Sequence, residues 1–223
     1  MTKKTGLPCP KCSSSDAYSI QENGWGKCFS CNTNFPPSKE EAERKEPPKP
    51  KRGVTPIVEV FKAFPARGFS KSTCERYKIN VAREGDYYEA KYPLFDKGGN
   101  HVGNKVRRDG KKFLIEGDIN KAVLYGQTFF PAGSAKAITV VEGQDDAAAA
   151  YQIMGSKYPV VSVHSSSTVE KDIRENFEYL NSFDTIVFCM DNDEHGIKAA
   201  KTAASAGFAL GKVKILTLRH HKD

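Results

Sequence analysis

From about Ala137 onward the chain alternates strand-like and helix-like segments, and this rhythm limits its fold more than any other feature. Apolar, β-branched runs occupy Ile138–Val141, Val160–Val163, Thr185–Met190 and Val213–Leu218. Between them, helical patterns cover Asp145 to Met154, Val169 to Asn181 and Ile197 to Leu210. Short buried strands joined by helices pair in parallel, because only a crossover returns the chain to the same end of a sheet. The spacing therefore predicts an α/β unit, a Rossmann-like parallel sheet with helices packed on it.

Two of the predicted strands end in acidic turns. Glu142-Gly143, with Asp145 and Asp146 close behind, follows the first, and Asp191-Asn192-Asp193-Glu194-His195-Gly196 follows the third. Sites in open parallel sheets form beyond the carboxyl ends of the strands, so both turns are expected to face one crevice. Carboxylates gathered there repel one another unless divalent cations lie between them. Hard oxygen ligands suit magnesium or manganese, and those ions favour phosphoryl transfer. A single Asp-x-Asp is an ordinary turn or cap; the signal lies in two acidic turns at neighbouring strand ends.

At the other end of the chain, Cys9-x-x-Cys12 and Cys28-x-x-Cys31 are separated by fifteen residues. That spacing fits a tetrahedral four-thiolate zinc ribbon over residues 1–35. The segment has too few apolar residues to fold alone, so metal binding is expected to supply the missing free energy. Tyr18, Trp25, Lys27 and Phe29 either present stacking faces and charge to single-stranded DNA or cover the knuckles. Residues 36–53, rich in proline and alternating charge, read as a linker.

Residues 54–135 are expected to form a basic α+β piece: a short helix over Thr55 to Phe64, a helix capped by Ser70 and running through Arg76, and a hairpin of Tyr87–Phe95 with Val102–Arg108. The formal charge of the chain is +7, unevenly spread. Lys and Arg number 14 against 9 Asp and Glu in 55–135, but 10 against 12 in 136–223. A polyanion would be drawn to the middle, where the run Arg107-Arg108-Asp109-Gly110-Lys111-Lys112 is expected to contact nucleic acid or nucleotide. No apolar run is long enough to span a membrane and the N-terminus lacks the apolar core of a signal peptide, which points to a reducing cytoplasm. Cys74 and Cys189 are expected to be buried thiols, and His195 a surface or capping residue.

Glu-Gly after one strand and Asp-x-Asp-x-x-Gly after another, with a strand and helix between, resemble the signature of Toprim proteins. The ribbon, tether, basic domain and Toprim domain in that order resemble bacterial and phage primases. Arg67-Gly68-Phe69-Ser70, Tyr92-Pro93-Leu94-Phe95-Asp96 and Val123-Leu124-Tyr125-Gly126 are similar to local elements of that family. Lys105-Val106-Arg107 and Tyr158-Pro159-Val160-Val161-Ser162 look like the primase half of the primase-helicases of short-tailed phages.

That resemblance implies a DNA primase, making RNA primers on single-stranded DNA from ribonucleoside triphosphates, with a replicative helicase and a DNA polymerase as partners. It implies that Glu142 is a metal ligand or general base, that Asp191 and Asp193 hold magnesium, that Asp146 is an additional acidic ligand, and that Lys105, Arg107 and Lys111 contact phosphates of nucleotide or template. Asp223 stands about where the family's third metal-binding Asp falls. Gln144, where relatives have Glu, and the serines of His164-Ser165-Ser166-Ser167, where relatives often have glycine, depart from the pattern. No phosphate-binding Gly-x-x-x-x-Gly-Lys-Ser/Thr is present, so no helicase motor is expected in this sequence. A Toprim nuclease and a non-catalytic zinc-ribbon DNA-binding accessory protein are the competing readings.

Overall fold

The computed structural model describes residues 2–21, 24–37, 52–84, 87–108 and 112–218. Most of the expected linker therefore lies outside the described residues, as do Lys111 and Asp223. Two compact units divide the chain, Met1–Lys51 and Arg52–Asp223.

The first unit is an antiparallel sheet in the order β1 (Thr2–Leu7), β2 (Tyr18–Gln21), β3 (Gly26–Cys28) and β4 (Asn34–Phe35). Tyr18 packs edge-on against Phe35, with centroids 5.2 Å apart. A Cβ at Gly26 would overlap the Tyr18 ring, so only glycine lets that ring lie across β3.

The second unit carries two sheets. One is antiparallel: β5 (Asn80–Glu84), β6 (Tyr87–Phe95), β7 (His101–Arg108) and β8 (Lys112–Gly117), in sequence order. The predicted turn forms between β6 and β7. Asp96 Oδ1 accepts from the Gly98 and Asn100 amides at 2.9 Å, and Gly99 takes a φ of 80°. The other sheet is parallel, in the order β10 (Val160–Ser162), β9 (Ala137–Val141), β11 (Thr185–Cys189) and β12 (Val213–Ile215). One hydrophobic core runs beneath both, from Phe64, Tyr77 and Leu94 to Val140, Val160 and Phe188. The Leu124-Tyr125-Gly126 element stitches them together. Tyr125 and Ser162 exchange backbone hydrogen bonds at 3.0 Å, and the Tyr77 hydroxyl donates to the Val160 carbonyl.

The helices are α1 (Lys71–Arg76), α2 (Gln144–Ile153), α3 (Val169–Glu175), α4 (Phe177–Asn181) and α5 (Glu194–Ala204). Ser70 caps α1 as expected, its side chain accepting from the Thr73 amide.

Three expectations fail. Thr55 to Phe64 is not helical; its polar backbone groups are taken by side chains of the neighbouring sheet, Thr55 N by Glu116 and Val58 N and O by Asn80. Pro56 disfavours helical geometry at Thr55, and Val58 and Val60 are exposed, so no apolar helical face exists to bury. The helix expected over Val169–Asn181 breaks at Asn176, which leaves helical geometry at a φ of −112° and a ψ of 19°, its side-chain amide and backbone N–H both donating to the Asp172 carbonyl. The last helix starts at Glu194 and ends at Ala204, short of Leu210, with Gly207 in the left-handed region at a φ of 91°.

Candidate active site

Parallel register decides which acidic residues meet. Val141 of β9 pairs with Cys189 of β11, so Glu142 and Asp191 leave neighbouring strands at the same edge of the sheet. Gly196 lets the second turn close: a Cβ there would overlap the Asp191 carbonyl. Gly143 does the same for the first, since a Cβ would sit 2.5 Å from Asp146 Oδ2. Asp193 caps α5, its Oδ1 accepting from the Gly196 amide at 2.8 Å, which leaves one oxygen for other work.

Glu142, Asp146 and Asp191 line one cavity of about 420 Å³, together with Lys105, Arg107, Arg67 and His164. The Glu142 carboxyl is raised above its ordinary value, first by burial and then by the negative charges of Asp191 and Asp193. Asp146 is raised by burial, then by Asp191 and Asp145. Ser166 and the Asp191 backbone hydrogen-bond Glu142, yet its Oε2 stays buried without a partner among the described residues. The donor set fits a divalent cation: oxygen-only, mutually repelling, and with an acceptor left over. These carboxylates do not form a tight cage. Among the described residues the four cysteines are the only group whose ligand atoms all lie within 4.8 Å of one another. Magnesium does not need a cage, because it keeps several waters and takes substrate phosphates as ligands.

The opposite wall is cationic. Lys105 and Arg107 alternate on β7 and so project from one face. Burial holds Lys105 below the usual lysine range against the pull of Asp145, Asp146 and Glu142, and its Nζ donates to the His164 carbonyl at 3.0 Å. Arg107 donates to Asp145 Oδ2 at 2.8 Å, Arg67 lies 3.1 Å from the same oxygen, and the Tyr92 hydroxyl donates to Asp145 Oδ1. The Phe113 ring lies 5.1 Å from Lys105 Nζ and 5.3 Å from Arg107 Cζ.

Sequence reasoning missed this cluster: Asp145 is a clamp for two guanidinium groups. It also missed His164, fixed by Asp172, which accepts from the His164 amide at 2.8 Å and lies 3.1 Å from Nδ1. Burial by itself would raise Asp172, but the hydrogen bonds and charge of His164 outweigh it and hold the carboxyl low. Arg67, Tyr92 and Arg107 each fall in an element that the sequence offers, and His164 heads the serine loop, but none of these elements carries a sign of its partner. Cys74 is fully buried, and burial pushes its thiol up to about 11. The Cys189 thiol is also raised, first by burial and then by Asp146 and Asp191. The side chain of His195 lies outside the described residues.

In the first unit, Cys9 and Cys31 Sγ lie 3.8 Å apart, as do Cys12 and Cys28. A tetrahedron with Zn–S bonds of about 2.3 Å has edges of about 3.8 Å, so the four thiols fit a zinc ion. The Lys11 and Cys12 amides point at Cys9 Sγ, at 3.3 and 3.4 Å. Phe29 is 69% and Trp25 47% exposed, whereas Tyr18 is partly buried against Phe35.

Comparison with known proteins gives this arrangement its relatives. The Toprim-like family matches residues 139–223, and the N-terminal a+b fold of bacteriophage T7 DNA helicase/primase matches residues 60–117. The primase fragment of the bacteriophage T7 primase-helicase protein superposes with a TM-score of 0.68 at 30% identity, covering 98% of this chain and 91% of that one. The chain belongs to the phage primase family. These primases include the primase domains seen in a structure of bacteriophage T7 lagging-strand DNA polymerase interacting with two such subunits bound to an RNA/DNA hybrid and dTTP. That match has a TM-score of 0.67 at 32% identity, over 78% of this chain and 88% of that one. The DNA helicase/primase of Enterobacteria phage T3 is 31% identical over 224 residues, 95% of this chain. The chain spans 39% of that relative's length. Its parallel sheet is thus a Toprim fold with a basic α+β partner, and its four cysteines form a zinc-ribbon-like cluster. Among the described residues no helix is long and apolar enough to cross a membrane.

Proposed function

We propose that the chain is a DNA-directed RNA polymerase of the primase type, a nucleotidyltransferase that joins ribonucleoside triphosphates into short primers on single-stranded DNA. The observation carrying this reading is where the unsatisfied polar atoms lie. Among the described residues, buried side-chain atoms without partners include Glu142 Oε2, Arg67 Nε, Arg107 Nε and His164 Nε2, all from residues that line one cavity. Buried orphans are costly, so a pocket holding both leftover acceptors and leftover donors is built for a ligand carrying cations and anions together. A metal-bound nucleoside triphosphate is such a ligand.

Glu142, Asp146, Asp191 and the free oxygen of Asp193 would hold magnesium or manganese. Once bound, the ions supply positive charge to the triphosphate and the attacking hydroxyl. Asp223 is a further candidate ligand, and Lys111 a further phosphate contact. Lys105, Arg107 and Arg67 bind and orient the phosphates, stabilising charge as it moves onto the leaving pyrophosphate. The primer 3′-oxygen bonds to the α-phosphorus, the bond to the bridging oxygen breaks, and the hydroxyl proton leaves to a base, for which Glu142 is the candidate. The zinc ribbon, residues 1–35 on the tether 36–53, offers Trp25 and Phe29 to template bases, while residues 54–135 and 136–223 form the catalytic pair. Partners on this reading are a replicative helicase and a DNA polymerase, in the cytoplasm of a bacterial host.

The test supplies single-stranded DNA, ribonucleoside triphosphates and magnesium, and resolves products on a gel. Short oligoribonucleotides are expected. Cleaved DNA without them would establish the nuclease reading, and DNA binding with neither product the accessory one.

A further inference from the structure

The catalytic cavity does not end at the carboxylates. It shares Ser166 with a second cavity of about 270 Å³, and that one shares Glu170, Lys198 and Thr202 with a third of about 880 Å³ between α3 and α5. Adjoining through these shared lining residues, the three cavities outline a groove beside the packed helices α3 and α5. Its far part is lined by Arg174 from α3 and by Lys198 and Lys201 from α5, three residues apart and hence on one side of that helix. All three cations are exposed, and among the described residues none forms an ion pair or a side-chain hydrogen bond. Glu170 is the one acid among the lining residues of this far part.

We infer that this groove is a track for the phosphate backbone of the RNA/DNA product as it leaves the catalytic cavity. The inference rests on the primase reading. A cavity of about 420 Å³ is the size of a site for one small ligand, so a growing hybrid has to pass out of it. A polyanion leaving a centre crowded with carboxylates needs cations along its path. The uncommitted charges of Arg174, Lys198 and Lys201 stand where the groove runs on from Ser166. Glu170 opposes them at the junction and weakens the hold, which lets the product advance.

The experiment uses the full chain and a short oligoribonucleotide annealed to a longer DNA strand, with binding followed by fluorescence anisotropy between about 50 and 200 mM salt. Replacing Arg174, Lys198 and Lys201 together by Gln is expected to flatten the slope of log K against log salt by roughly 2 to 3 and to weaken binding at low salt by about 10- to 100-fold. Glu170→Gln is expected to act oppositely, tightening the hybrid severalfold, a gain that a misfolded variant does not produce. Formation of the first dinucleotide is expected to stay unchanged in both variants, since none of these residues lines the catalytic cavity. An unchanged salt slope in the triple variant, or Glu170→Gln without effect, overturns the track; a groove that takes an acidic protein partner instead would give that result. Absence of any primer in the unaltered protein refutes the primase reading separately, because hybrid binding is read without catalysis.

Discussion

Asp145→Ala tests how the cationic wall is held. In the native site one carboxylate answers Arg67, Arg107 and the Tyr92 hydroxyl. The side chains of Asp145 and Arg107 are 16% and 13% exposed, and that of Arg67 is 29% exposed, so solvent screening is modest for the first pair and greater for the second. Removing one member of such a cluster strands charge that water cannot reach, a cost of about 3–5 kcal/mol. For a chain of this size that corresponds to a fall in Tm of about 6–20 °C. Loss of the clamp also frees both guanidinium groups from the positions that face the cavity, so primer synthesis is expected to fall further than folding does. Differential scanning calorimetry of Asp145→Ala, Arg107→Ala and the double variant closes a thermodynamic cycle, with an expected coupling of about 1.5–3 kcal/mol. A coupling below about 0.5 kcal/mol would mean that Asp145 and Arg107 are neighbours without being partners, and that arm of the clamp would have to be abandoned.

The two oxygens of Asp193 predict that Asp193→Asn and Asp193→Ala part company: Asn still caps α5 and leaves Tm unchanged, Ala costs about 1 kcal/mol, and both abolish primer synthesis. Equal stability of the two variants would show that the cap contributes nothing. Glu142 and Asp146 have raised folded-state values, so the folded chain binds their protons more tightly than the unfolded chain. Their protonated forms favour folding at low pH, and that contribution is lost as pH rises from the ordinary carboxylate range through the raised values. Glu142→Gln and Asp146→Asn should therefore gain stability on the metal-free parent as pH rises across that window, and added magnesium should narrow the gap; parallel Tm profiles would refute the sign. Asp172 works the other way, its stabilising contribution being present above the ordinary value and lost as pH falls, which Asp172→Asn should remove from the acid limb of a denaturation curve. Gly196→Ala drives a Cβ into the Asp191 carbonyl, and it is expected to abolish synthesis while circular dichroism still reports the sheet.

Much of this architecture was legible from local pattern. The strands β9 to β12 and their parallel pairing follow from short apolar runs separated by helical ones, and Ser70 announced α1. The expected helix over Thr55 to Phe64 failed because its backbone groups were taken by Glu116 and Asn80, residues distant in sequence. The break at Asn176 accompanies a side chain bonding back to the turn before it, which apolar periodicity does not register.

By itself the sequence determined which ligands exist and roughly where. Thiols paired with two residues between them make a knuckle whatever surrounds them, and acids placed just after a strand sit at its carboxyl end. Tertiary structure alone decided which charges are neutralised and which are left over. Asp145 and Asp146 are adjacent and line the same cavity, yet one is consumed by Arg67 and Arg107 while the other is left beside Asp191 with its carboxyl raised. No spacing rule separates them, because the energy of a buried charge is set by what packs around it, and those neighbours come from β6, β7 and the Arg67-Gly68 turn.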